Sequence, residues 1–93
     1  MTQAFKFGTR VKLISFHGEV KSSEPVETAE NFWVLVGQEG EVVSEQLKIH
    51  PAFQDKGERA LIKFDQSLSD LYLANHNDEA NSLWVFISDL EII

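Results

Sequence analysis

Apolar and polar residues alternate along two segments of the chain, and this period of two is typical of half-buried β-strands. The apolar positions are Val11 and Leu13 in the first segment, residues 10–13, and Ala60, Ile62 and Phe64 in the second, residues 59–65. Each set is expected to cover one face of a strand, because successive side chains of a strand point to opposite sides. The chain therefore contains at least two strands that pack on a common core.

Two further segments, residues 32–36 and 83–87, are continuous apolar runs. Both are predicted as central strands, and Trp33 and Trp84 within them as core residues. Residues 37–40 begin and end with glycine, and a second β-rich run, residues 41–43, follows. Glycine adopts a positive φ without strain, so the pattern predicts a tight turn between two antiparallel strands, with Gly37 or Gly40 at positive φ.

The rest of the chain supplies turns and one short helical element. Leu68, Leu71 and Tyr72 lie at helical spacing, with Ser67 as a candidate N-cap. Residues 17–18 are a predicted turn, and residues 21–30 and 74–82 are predicted polar loops. A brief 3₁₀ turn and a last strand are expected over residues 88–93. About five short strands separated by turns indicate a small barrel or sandwich, and 93 residues suffice for one domain, residues 1–93.

Three segments together resemble the SH3-like barrel group. Residues 7–13 have a glycine turn followed by a V-x-L strand, as at the start of many such domains. Residues 37–42 are similar to the G-x-x-G-x-V core of KOW-type and Tudor-like barrels. Residues 83–91 resemble the closing strand, 3₁₀ turn and last strand of these barrels. The resemblance is nearest to small bacterial SH3-like proteins that end in a tryptophan strand followed by D-L-E. It implies a mainly β fold, a small SH3-like barrel of about five strands with one short helical turn, and it implies no function.

Two departures from that group argue against RNA binding and against peptide binding of the SH3 type. KOW domains that contact RNA are usually basic at the glycine turn, whereas this turn carries Glu39 and Glu41. The A-L-Y-D-Y-type motif of peptide-binding SH3 domains is not found in the sequence. The net charge is −7, and no Lys or Arg follows Lys63. An acidic surface repels phosphate backbones, so nucleic acid is not the expected partner, and a basic protein is a better candidate.

Composition excludes several other classes. The chain has no cysteine, which rules out disulfides and thiolate metal sites and fits a cytoplasmic location. The longest apolar runs are about five residues, against roughly 20 for a membrane helix, and no signal peptide is expected. His17, His50 and His76 match no metal-ligand pattern, and no serine lies in a nucleophile motif. Neither a metal, a cofactor nor a catalytic residue is therefore predicted.

The leading hypothesis is a non-enzymatic protein-binding module, monomeric or homodimeric, whose partner is a protein and could be basic. The alternatives are a KOW-like ribosome- or RNA-associated module, and a small oligomeric ligand-binding protein or enzyme. The candidate contacts join an acidic, amide-rich loop to aromatic residues in or beside loops, because binding residues concentrate on loops of a rigid scaffold. They are Asn75, His76, Asn77, Asp78, Glu79, Tyr72, Phe16 and Phe53.

Overall fold

Six β-strands and short 3₁₀ turns make up the computed structural model, which describes residues 5–44, 47–49, 51, 57–75, 77 and 79–93. The strands are β1 (Arg10–Leu13), β2 (Glu39–Val42), β3 (Lys48–Ile49), β4 (Glu58–Phe64), β5 (Ser82–Phe86) and β6 (Leu90–Ile92). The 3₁₀ turns are Thr28–Glu30, Phe32–Leu35, Ser69–Leu71 and Ile87–Asp89. The predicted mainly β class is confirmed, with six strands in place of about five.

The strands form one antiparallel sheet in the order β3-β4-β2-β1-β6, and β5 pairs with β4. β4 is the longest strand and pairs with three others: β2, β3 and β5. Among the described strands, β5 and β6 do not pair with each other, so the sheet does not close through hydrogen bonds into the predicted barrel. The 3₁₀ turn Ile87–Asp89 alone connects these two strands along the chain.

The core lies on one face of this sheet, as the alternating segments predicted. Val11 and Leu13 of β1 are buried, and so are Ala60, Ile62 and Phe64 of β4. The remaining buried apolar residues of the cluster are Phe16, Phe32, Leu35, Val42, Leu68, Leu73, Val85 and Leu90. The period of two was therefore sufficient to place the two alternating strands correctly.

The prediction of a strand over residues 32–36 is wrong, because Phe32–Leu35 is a 3₁₀ helix. Phe32 and Leu35 are buried, whereas Val34 is exposed. Residues three apart share one side of a 3₁₀ helix, so this arrangement buries two large side chains without a strand partner. An unbroken apolar run does not alternate, and periodicity alone cannot distinguish a strand from a helix there.

Trp84 lies on the outer face of the sheet, and its predicted place in the core is wrong. The register pairs Ala60 with Val85 and Leu61 with Trp84. Because Val85 and Ala60 face the core, their neighbours must face outward. Trp84 is accordingly half-buried. Trp33 is also half-buried and packs against the core from the 3₁₀ helix rather than from a central strand.

Gly37 has the predicted positive φ, at 96°. Its turn connects the 3₁₀ helix Phe32–Leu35 to β2 instead of connecting two strands, and Gly40 lies inside β2. The short helical turn is also present, as the 3₁₀ turn Ser69–Leu71. Ser67 does not cap it; the Ser67 hydroxyl lies 2.9 Å from that of Ser69.

Candidate functional site

The predicted contact loop, residues 74–82, uses its amide side chains to hold its own backbone. Asn75 Nδ2 donates to the carbonyl oxygens of Asn77 and Glu79 at 3.2 and 3.1 Å. Asn77 Nδ2 donates to the Ser82 carbonyl at 3.0 Å. Asparagine commonly stabilises turns in this way. The Nδ2 donors of both residues are therefore engaged within the loop, while His76 and Asp78 lie outside the described residues.

Most described acids of the last third are also engaged within the fold. The Arg10 guanidinium donates two hydrogen bonds to Asp65, at 3.0 and 2.5 Å. This pair lowers the pKa of the Asp65 carboxyl and raises the pKa of Arg10. Lys63 Nζ lies 3.8 Å from Glu79 Oε2, and Asp89 is buried. These carboxylates already have partners, which weakens their attraction for a basic protein.

Tyr72 differs from them because its side chain is 78% exposed. It ends the 3₁₀ turn Ser69–Leu71 with φ 60° and ψ 28°, in the left-handed region. A residue with a Cβ costs about 1–2 kcal/mol in that conformation. Asp70, two residues earlier, is also exposed. The turn thus presents an aromatic ring and a carboxylate to solvent at the cost of a strained backbone.

A second acidic turn lies beside the first. The Ala74 backbone N–H donates to the Ala29 carbonyl at 2.9 Å, which brings the 3₁₀ turn Thr28–Glu30 next to the segment that follows Tyr72. We call this surface the acidic face; its exposed residues are Glu27, Glu30, Asp70 and Tyr72. In the sequence, the long segments that contain these two turns, residues 22–47 and 64–93, have no Lys or Arg.

Phe16 is not on an exposed patch, so that prediction is wrong. Its side chain is only 8% exposed, and its ring lies 5.8 Å from that of Phe32 and 4.9 Å from that of Trp33. The physical reason is the turn at His17 and Gly18, where both residues have positive φ. Such a two-residue turn reverses the chain tightly and folds Phe16 onto the core. Phe53 lies outside the described residues.

A buried carboxylate that the sequence did not single out holds this turn. Asp89 accepts hydrogen bonds from the Ser15 hydroxyl at 2.5 Å and from the backbone N–H groups of His17 and Gly18, both at 3.0 Å. These three hydrogen bonds join the 3₁₀ turn Ile87–Asp89 to residues 15–18. In the sequence, Asp89 was predicted only as part of a brief 3₁₀ turn and as one of the acids of the last third, and nothing there indicated a buried acceptor.

Within the described residues, no group of three or more His, Cys, Asp or Glu is placed to hold a metal ion. The described part of the chain also has no helix with the length and apolar character needed to cross a membrane.

Comparison with protein-family models, with curated proteins and with solved structures found no match to this chain.

Proposed function

We propose that this protein is a non-enzymatic binding module that docks a basic protein segment on its acidic face. The observation that carries the proposal is Tyr72, an aromatic residue that is 78% exposed on a left-handed backbone. Strained conformations of this kind cluster at functional sites. Tyrosine is also enriched among the residues that dominate protein interfaces.

The charges around Tyr72 define the partner. Asp70 and Glu27 are exposed carboxylates on two neighbouring turns, and they would attract Lys or Arg side chains. Arginine also stacks on aromatic rings, so an Arg-rich segment could contact the tyrosine ring and the carboxylates at once. The same charges oppose a nucleic-acid backbone.

The experiment places a photo-crosslinking residue, p-benzoylphenylalanine, at position 72 in cells of the natural host. The matched control carries it at Phe7, which is a second exposed aromatic at 60%. We expect position 72 to capture a defined basic protein that position 7 does not capture. Asp70→Lys should then slow association with that protein at low salt by about tenfold, because complementary charge mainly accelerates encounter.

Either of two outcomes would contradict the proposal. The same set of adducts at positions 72 and 7, or an association rate that Asp70→Lys leaves unchanged, would show that the acidic face is only a solvated surface. An adduct with RNA-bound proteins that disappears after nuclease treatment would favour the KOW-like alternative.

Replacing Tyr72 with asparagine separates binding from folding. Asparagine tolerates the left-handed conformation better than tyrosine, and the exposed ring has little packing to lose. We therefore expect the free energy of unfolding to stay the same or rise by up to about 1 kcal/mol, while partner capture falls. Urea denaturation measures the first quantity. A loss of stability would instead assign the tyrosine a structural role.

A further inference from the structure

A second surface, on the outer face of the sheet, has the opposite charge. Lys48 of β3 pairs with Arg59 of β4, and Leu61 of β4 pairs with Trp84 of β5. Paired residues share one face of a sheet. Both cations lie over the indole ring of Trp84: Lys48 Nζ is 5.0 Å and Arg59 Cζ is 5.8 Å from its centroid.

The concentration of cations here is unusual for this chain. Lys48, Arg59 and Lys63 are three of only eight Lys and Arg residues in a protein of net charge −7. Lys63 is near Glu79, at 3.8 Å. Within the described ranges, neither Lys48 nor Arg59 forms an ion pair. Two positive charges therefore lie on one ring, and no described carboxylate is within ion-pair distance of either of them.

Arg59 also carries an unsatisfied polar atom. Its Nε is buried and has no hydrogen-bond partner among the described residues. Burial lowers the pKa of the Arg59 guanidinium, because desolvation disfavours the charged form. Buried donors normally have partners, so this guanidinium has hydrogen-bonding capacity that the described fold does not use.

An open cavity of about 530 Å³ lies beside Lys48 and Trp84, and Arg59 adjoins it through its contact with the Trp84 ring. We call it the tryptophan groove; its lining residues are Lys48, Leu61, Asn77, Glu79 and Trp84. Its volume falls within the range of small-molecule sites, which combine an apolar surface with a few polar groups. Here Leu61 and Trp84 supply the apolar surface, and Lys48 supplies the positive charge at its edge.

We propose that the tryptophan groove binds an organic carboxylate attached to a flat apolar body. The carboxylate would lie between Lys48 and Arg59, where it accepts charge-assisted hydrogen bonds. The apolar body would lie against Trp84 and Leu61. Both a free aromatic acid and an acidic residue next to an aromatic residue in a peptide have this chemistry.

The surrounding charges favour a single carboxylate over a polyanion. Glu41 lies opposite Lys63 and therefore on the same face of the sheet. Glu79 lines the groove itself. A nucleic-acid backbone that crossed this face would meet these carboxylates, whereas one carboxylate at Lys48 and Arg59 would not. This proposal is independent of the acidic face, which involves other residues and the opposite charge.

The experiment follows the indole N–H signal of Trp84 by NMR, with Trp33→Phe used to assign it. Phenylacetate and its uncharged analogue phenylacetamide are titrated into the ¹⁵N-labelled protein. We expect phenylacetate to bind at least about tenfold more tightly, because only it makes charge-assisted hydrogen bonds. Acetyl-Phe-Asp-amide is the peptide arm: tighter binding than phenylacetate identifies a peptide as the source, and weaker binding identifies a free acid.

Lys48→Gln tests the cation, and Lys6→Gln is the matched control, since Lys6 is exposed and absent from the groove. Lys48 is exposed on a two-residue strand, so its replacement should not unfold the protein. We expect Lys48→Gln to weaken phenylacetate binding by about tenfold and Lys6→Gln to leave it unchanged. Equal binding of acid and amide, or equal affinities in the two variants, would overturn the proposal. Tighter binding of a uridine decamer at the same signal would also overturn it.

Discussion

Replacing Asp89 with alanine is expected to lower the free energy of unfolding by about 3 kcal/mol or more, since it leaves three donors without an acceptor. The carboxylate accepts hydrogen bonds from the Ser15 hydroxyl and from the backbone N–H groups of His17 and Gly18. It is only 2% exposed, so water cannot readily replace it. Urea denaturation followed by circular dichroism measures the loss.

Asparagine at the same position provides a graded test. Oδ1 of Asp89 accepts from Ser15 and Gly18, whereas Oδ2 accepts only from His17. An amide oriented with its oxygen at Oδ1 keeps two of these bonds and loses one, so Asp89→Asn should cost about 1–3 kcal/mol, less than Asp89→Ala. Asp70→Ala is the matched control, because this exposed acid should change stability by less than about 0.5 kcal/mol. Similar effects of Asp89→Ala and Asp70→Ala would mean that Asp89 does not anchor the turn.

The difference between Asp89 and Asp70 is one that the sequence could not predict. Both are single aspartates in short polar segments, and both counted equally toward an acidic last third. One proved to be a buried anchor that joins the end of the chain to residues 15–18, and the other an exposed charge beside Tyr72. An aspartate can be buried only where hydrogen-bond donors surround it, and here those donors are more than 70 residues away in the sequence. The residues next to Asp89 therefore do not reveal its burial.

Strands could be predicted correctly, with their inward faces, wherever apolar and polar residues alternate. Alternation fixed the inward faces of β1 and β4, and both are buried as expected. The continuous run at residues 83–87 predicted a strand but could not show which side chains face inward, so Trp84 was assigned to the wrong face. The register with β4 settles this, because Val85 takes the core position. Misplacing Trp84 also concealed the groove beside it.

Both proposed surfaces are built on positions that the core does not use. Tyr72 is highly exposed, and Lys48 lies on a two-residue strand whose residues are both exposed. Substitutions there should therefore change binding with little change in stability. Asp89 and Gly40 behave in the opposite way, since each is fixed by contacts inside the fold. Because binding and stability depend on different residues, a variant that does not bind can be distinguished from a variant that does not fold.

Gly40→Ala is expected to destabilise the protein by about 3 kcal/mol, at the upper end of the usual cost of overpacking. Gly40 lies in β2, between Val11 of β1 and Phe64 of β4. A Cβ at this position would be 2.5 Å from the Lys63 carbonyl oxygen and 3.0 Å from the Phe64 Cα. Both are backbone atoms of β4, so rotation of a side chain cannot relieve the contact.

Gly37→Ala is the control that separates crowding from backbone strain. Gly37 has φ 96°, but no atom lies within 4 Å of the position of its added Cβ. Its substitution should cost only the strain of the left-handed region, about 1–2 kcal/mol. Movement of β4 would also disturb its pairing with β3 and β5, so Gly40→Ala should weaken several strands together. Urea denaturation of both variants shows which substitution lowers the free energy of unfolding more. If Gly40→Ala proved no more destabilising than Gly37→Ala, the close approach of β2 to β4, and the register that pairs Gly40 with Phe64, would be wrong.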